Sequence, residues 1–267
     1  MNRIDEKFQA LRTAKKTGFI AYITAGDPNL QSTPTLVAAL EKSGVDIVEL
    51  GIPFSDPLAD GATIQAASGR AIAAGATVSG VLDAIREIRK TSQIPIVLFT
   101  YLNPIYIYGF DRFHGDASAA GADGLLILDL PPDEAARNAE LMKSHGLLSI
   151  RLIAPTTPPE RMELIAKSAK GFIYYVSREG VTGEQANLSV GIASQVAEIK
   201  KYTTLPVAVG FGISTPDQAA EVARESDAVV VGSAIVRRIG EHGSAQNLPE
   251  KIIEFVKPIA EAIRNAT

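Results

Sequence analysis

Glu49 stands in the short apolar run Ile47-Val-Glu-Leu50, immediately ahead of Gly51-Ile-Pro-Phe-Ser-Asp-Pro-Leu-Ala-Asp-Gly61. A carboxyl at the end of a buried strand loses hydration, which raises its pKa and suits it to giving and taking protons near neutral pH. The same position also fits a rim glutamate that reaches solvent or pairs with an arginine. Asp56 and Asp60 follow in a segment stiffened by Pro53, Pro57 and Gly61. Each of them alone reads as a turn former as readily as a reactant. Two carboxylates beside one cleft, in different surroundings, are the arrangement that separates an acid from a base.

A second chemistry is written in glycines. Gly180-Val-Thr-Gly183, Gly210-Phe-Gly212-Ile-Ser214 and Gly232-Ser-Ala-Ile235 each follow an apolar run. Glycine lets backbone N–H groups approach an anion closely, and Gly232-Ser233 opens a stretch whose helical N-terminus favours negative charge. Any one of these turns is explained by tight chain reversal; three together point to phosphate. Gly210-Phe-Gly212 is not a dinucleotide fingerprint, because Thr215 occupies the place of the third glycine.

Tyr22, Phe99, Tyr101, Leu126, Leu152 and Tyr174 fall near the ends of apolar runs and supply an apolar, partly aromatic rim. Strand alternation puts Phe99 and Tyr101 on one face, and sends Arg151 outward if Leu152 points inward. His114, His145 and His242 are scattered without metal-ligand spacing and read as surface or loop residues. No lysine lies inside an apolar run where a Schiff base would need it, and no nucleophile elbow occurs. With no cysteine, thiol catalysis and thiolate metal sites are excluded.

The elements that must position these groups are eight short Val-, Ile- and Leu-rich runs, beginning near Phe19, Ile47, Ile96, Gly124, Leu148, Phe172, Val207 and Ala228. Continuous apolar runs of this kind are buried on both faces, as in a parallel sheet covered by helices. Helical spacing fills the gaps: Val81, Ile85 and Ile88 in one, Val196 and Ile199 in another, and Asp133 and Glu134 opening a third. Ile4, Phe8 and Leu11 form a stripe ahead of the first run, which predicts an extra N-terminal helix closing a barrel bottom. Eight alternations in 267 residues predict an α/β fold, a (β/α)8 TIM barrel in a single domain over residues 1–267. The gaps after the second and sixth runs are the longest, so long loops after strands 2 and 6, within 51–75 and 177–191, are expected to carry function.

Composition excludes other classes. The chain is 46% hydrophobic and 21% charged, with 26 basic against 30 acidic side chains and a formal net charge of −4. That is enough apolar material for a large core and gives no basic footprint for nucleic acid. The first sixteen residues are charged throughout and lack the apolar stretch of a signal peptide, and nowhere do eighteen apolar residues run together. A soluble, cytoplasmic protein that uses neither nucleic acid nor membrane is expected.

The run 49–61, with Asp46 three residues before it, resembles the signature of the tryptophan synthase α-subunit family. Thr24-Ala-Gly-Asp-Pro28, Asp129-Leu-Pro131, Ser177-Arg-Glu-Gly-Val-Thr-Gly183 and Gly210-Phe-Gly-Ile213 extend the resemblance over essentially the whole chain. It implies a TIM barrel, a lyase of tryptophan biosynthesis, and retro-aldol cleavage of indole-3-glycerol phosphate to indole and glyceraldehyde 3-phosphate. By that resemblance Glu49 moves the protons, Asp60 accepts the indole N–H, and Tyr174 is the active-site tyrosine. Gly183, Phe211, Gly212, Gly232 and Ser233 match the phosphate site. Tyr22, Phe99, Tyr101, Leu126 and Leu152 match the indole pocket, and Asp56 and Thr182 belong to the closing loops at 53–61 and 178–191. The family needs no metal or organic cofactor in this subunit and passes indole to a pyridoxal-phosphate β subunit in an αββα heterotetramer. Asp56, Asn103 and Pro131 become candidate contacts with it. Tyr22 departs from the phenylalanine usual at its place, and its hydroxyl needs a partner or an outlet to solvent. A free-standing indole-3-glycerol-phosphate lyase is the same-fold alternative.

Overall fold

The structure is a computed structural model that describes residues 1–130, 132–176, 188–210 and 212–266. The chain runs α1 (Arg3–Thr13), β1 (Gly18–Thr24), α2 (Ser32–Lys42), β2 (Ile47–Gly51), α3 (Ala62–Ala73), α4 (Val78–Arg89) and β3 (Ile96–Thr100). It continues through α5 (Leu102–Tyr108), α6 (Phe110–Ala120), β4 (Gly124–Ile127), α7 (Pro132–Ser144), β5 (Leu148–Ser149), β6 (Arg151–Ile153) and α8 (Pro159–Ser168). The last third is β7 (Ile173–Val176), α9 (Leu188–Lys200), β8 (Val207–Gly210), α10 (Pro216–Ala223), β9 (Ala228–Val231), α11 (Ser233–His242) and α12 (Leu248–Asn265).

All strand pairs are parallel, in the order β5-β4-β3-β2-β1-β9-β8-β7-β6. The two outermost segments, β5 and β6, are separated only by Ile150, whose N–H donates to the Leu125 carbonyl at 3.1 Å. They are two halves of one fifth strand. Both edges of the sheet therefore meet in the same piece of chain, and the predicted eight-stranded barrel closes.

Side-chain parity sorts the core into two layers. Phe19, Ala21 and Ile23 on β1, Val48 and Leu50 on β2, and Ile96 and Leu98 on β3 pack outward against the helices. Ile20, Ile47, Val97, Leu126, Ile150, Phe172, Ala208 and Val230 form the inner cluster. Glu49, two residues after Ile47, shares its inward parity. Arg151 lies in register with outward-facing Ile173, as alternation predicted, and its Nε and Nη2 are buried without a hydrogen-bond partner among the described residues.

The N-terminal helix plugs the inner layer from below. Ile4, Phe8 and Leu11 all belong to the inner cluster, and the Phe8 and Phe172 rings stand 5.7 Å apart. Two buried aspartates lock this end. Asp123 receives Arg3 at 2.8 Å, Arg89 at 2.8 Å and the Ile96 N–H at 2.8 Å, while Asp46 receives the Phe19 N–H at 2.9 Å and Arg264 at 2.6 Å. Their lone pairs are satisfied and they serve stability at the face away from the strand C-termini.

Two expectations need correction. The excess length after β2 is only half loop: residues 62–73 form α3, and the next helix, α4, completes the unit. His114 is no surface residue. It is fully buried, with Nδ1 2.7 Å from the Phe110 carbonyl and Nε2 2.8 Å from Asn138 Oδ1, and so ties α6 to α7.

Candidate active site

At the C-terminal end of the strands, Glu49 is 0% exposed and neither carboxylate oxygen has a hydrogen-bond partner among the described residues. Burial alone pushes its pKa from 4.5 up to about 8. An unpartnered ionised carboxylate in such surroundings is costly, so the group holds its proton at neutral pH. Its burial closes the outlet to water that the rim reading needs, and no arginine among the described residues pairs with it.

Tyr22 lies beside it in register across β1 and β2. Its ring meets Phe99 edge-on at 5.2 Å, and Phe99 in turn meets Tyr174 at 6.4 Å. The inner face above Glu49 is thus aromatic. Two glycines make room for the phenols. A Cβ at Gly51 would stand 2.2 Å from the Tyr22 hydroxyl, and one at Gly210 would stand 2.6 Å from that of Tyr174. The buried Tyr22 hydroxyl finds Thr24 Oγ1 at 3.5 Å. Burial first, then the charges of Asp60 and Glu49, raises the Tyr22 pKa; burial and Glu49 do the same for Tyr174. Both phenols therefore stay neutral hydrogen-bond donors. Leu126 pairs with Phe99 across β3 and β4, and Leu152 pairs with Tyr174 across β6 and β7.

Gly51→Ala should cost about 1–3 kcal/mol, because the Tyr22 ring, backed by Phe99 and Gly232, cannot retreat without strain. The cost should shrink in a Tyr22→Leu background, which denaturant unfolding of the four-member cycle measures.

Asp60 sits on the loop between β2 and α3. Its carbonyl accepts from Gln65 Nε2 at 2.8 Å, and Gly61 forms the N-cap of α3. The Tyr101 hydroxyl accepts the Ala59 N–H at 2.9 Å and donates to the Asp60 carboxylate. Burial raises the Asp60 pKa from 3.8 to about 6, partly offset by that hydrogen bond, while Tyr101 is pushed up to about 12. The two carboxylates consequently differ in state at neutral pH: Glu49 protonated, Asp60 mostly ionised. Asp56 is exposed and accepts from Ser55 Oγ at 2.6 Å.

Two strands along the barrel from β2, after β9, Gly232 is the N-cap of α11 and Ser233 its first residue, with no side chain among the described residues capping the turn. The leading N–H groups of a helix lack intrahelical partners and carry its positive end. Gly212 nearby takes a φ of +66°, open to glycine. Gly183, Thr182, Phe211 and Pro131 lie outside the described residues.

One group escaped the sequence reading. Leu58 (92% exposed), Tyr106 and Ile107 bare apolar surface at this end, next to Asp56 and the exposed Asn103. Tyr106, Ile107 and Asn103 share α5, whose first N–H is held by Asp129 Oδ1 at 2.7 Å. Isolated apolar residues in a helical stretch read as core until the packing is known. No cluster of three or more His, Asp or Glu able to hold a metal ion occurs among the described residues, and no helix there is long and apolar enough to cross a membrane.

Residues 8–264 match the family described as tryptophan synthase alpha chain. The chain is 50% identical over 265 residues to the tryptophan synthase alpha chain of Geobacter sulfurreducens, covering 99% of this chain and 100% of that one. Among solved structures, the tryptophan synthase subunit alpha of Legionella pneumophila superposes with a TM-score of 0.92 at 42% identity, covering 99% of both chains. A chain of Mycobacterium tuberculosis tryptophan synthase in its open form gives 0.87 at 34%, again with 99% of each covered.

Proposed function

This chain belongs to the tryptophan synthase alpha-chain family, and we propose that Glu49 and Asp60 are the two carboxylates that carry its half-reaction. The family is a lyase of tryptophan biosynthesis that cleaves indole-3-glycerol phosphate to indole. It works with a beta subunit, to which the pyridoxal phosphate belongs.

The bond to be broken joins indole C3 to a carbon bearing a hydroxyl. Glu49, holding its proton at neutral pH, delivers it to C3. The ring becomes a cation with its charge shared onto nitrogen, and the ionised Asp60 accepts the N–H and stabilises that charge. Glu49, now a carboxylate, takes the proton of the side-chain hydroxyl. The C–C bond breaks, its electrons return to the ring, the hydroxyl carbon becomes the aldehyde of glyceraldehyde 3-phosphate, and Glu49 is protonated again. One carboxyl near pKa 8 serves both steps because its pKa matches the working pH in either direction.

Tyr22, Phe99, Tyr101, Leu126 and Leu152 enclose the indole, and Tyr174 positions it. Gly212, Gly232 and Ser233, with Gly183 and Phe211, take the phosphate at the start of α11. Asp56 and Thr182 act in loop closure. Exposed Leu58, Tyr106 and Ile107 beside Asn103 support docking of the beta subunit at this mouth, in an αββα assembly in the cytoplasm. One barrel domain suffices.

The observation that carries the reading is the fully buried Glu49 carboxyl at the barrel's C-terminal end, its two oxygens unpartnered among the described residues. The test is turnover of indole-3-glycerol phosphate by the purified chain, with and without a beta subunit. Indole and aldehyde should form in equal amounts, slowly alone and faster with the partner. A high rate alone that the partner leaves unchanged favours the free-standing lyase, and no cleavage in either condition overturns the chemistry.

A further inference from the structure

Two helices frame the site, and each begins at one of its reacting ends. α3 starts directly after Asp60 and Gly61, and α11 starts at Gly232 and Ser233. They touch at two levels. Near their N-termini, Ala67 of α3 and Val236 of α11 close a small cluster with Tyr22, joined by Ile64 and Phe99. Farther along stands an ion pair that the chemistry above does not use. Asp27, 1% exposed in the turn after β1, accepts from Arg70 Nε at 2.9 Å and Nη2 at 2.8 Å.

Arg70 lies in the last turn of α3, and its guanidinium lies against the backbone of α11 at Gly240. A Cβ there would stand 2.7 Å from Nη2 and 3.0 Å from Cζ. The same turn presses on both neighbours. Pro28 Cβ would be 3.2 Å from a Cβ at Gly243, and Gly26, at φ +83°, leaves no room for one, which would lie 2.7 Å from Ala76. The bidentate geometry fixes orientation as well as distance. α3, the β1 turn and α11 are thereby one mechanical unit, with Asp60 at one tip and the phosphate end at the other.

We propose that Asp27 and Arg70 are positioning residues that couple occupation of the α11 N-terminus by the substrate's phosphate to the setting of Asp60. The inference rests on the phosphate and Asp60 assignments made above. Phosphate binding then lowers the barrier as well as adding affinity, because energy from a remote group is used to orient the reacting one.

The experiment splits the substrate. Indole glycerol lacking the phosphate is turned over with inorganic phosphate added as a separate probe, and phosphate binding is measured by calorimetry. In the wild type, saturating phosphate should raise kcat/KM for indole glycerol by about 5–150-fold, the usual range of coupling between sites. In Arg70→Gln, and in Asp27→Asn/Arg70→Gln, which leaves no unpaired buried charge, phosphate should bind with unchanged affinity yet activate less than about twofold. Arg70→Lys, which keeps the charge but not the fork, should fall between. A purely structural role would lower turnover with and without phosphate alike and leave the activation ratio intact, which overturns the proposal. So does phosphate that binds the wild type without activating it. Phosphate that does not bind at all overturns the phosphate assignment itself, and the coupling falls with it.

Discussion

Glu49→Gln lowers kcat/KM for indole-3-glycerol phosphate cleavage by about 10⁴-fold, the upper end for one positioned proton carrier, because the same carboxyl serves both transfers. The amide keeps the volume and the neutral charge that Glu49 has at pH 7 but can neither give nor take the proton. The variant should therefore fold as well as the wild type. At higher pH it should be the more stable of the two. The folded-state pKa of Glu49 is raised from 4.5 to about 8, so the folded chain binds the proton more tightly than the unfolded one. Stability linked to that proton is fully present below pH 4.5 and is lost as pH rises through about 8. The amide, which does not titrate, removes this dependence. The melting temperature of Glu49→Gln minus that of wild type should rise across that window, measured by calorimetry at fixed ionic strength. A variant that is inactive and also less stable at pH 8.5 would point to a structural role instead.

Asp60→Asn comes second, with a loss of about 10²–10³-fold, the range for removing one preorganised electrostatic partner of a developing charge. The informative reading is its pH profile. In the wild type, kcat/KM should rise with pH as Asp60 ionises near 6 and fall as Glu49 loses its proton near 8, a bell with its top between. Asparagine has no carboxyl to ionise, so the acid limb should vanish while the alkaline limb stays. Persistence of the acid limb in Asp60→Asn would assign it to another group.

The barrel was legible because burial on both faces forces strands into apolar runs, and eight such runs at crossover spacing admit few topologies. Glu49 stood out for the same reason: a charge costs most where every neighbour is apolar. Parity then put Phe99 and Tyr101 on one face, and Arg151 outward on the condition that Leu152 points inward. Other features left weaker traces. α3, Ala-Thr-Ile-Gln-Ala-Ala-Ser-Gly-Arg-Ala-Ile-Ala, is small-residue-rich and buries only Ala67, Ser68 and Ala71, too faint a stripe to separate from loop. His114 is buried because Asn138, on another helix, meets its ring, and no spacing rule pairs them. The Asp27–Arg70 pair links two residues on different elements, and the bared side chains of Leu58, Tyr106 and Ile107 become visible only once the helices are packed. Local periodicity reports what is buried; it does not report which polar groups meet across the barrel.

The protonation state of Glu49 is the hinge of the chemistry, and infrared difference spectroscopy reads it directly. The carboxylic-acid carbonyl band present in wild type and absent in Glu49→Gln should persist through neutral pH and disappear near 8. A band that disappears near the ordinary glutamate value of 4.5 would mean that Glu49 is ionised at working pH, and it could not then be the acid that protonates the ring.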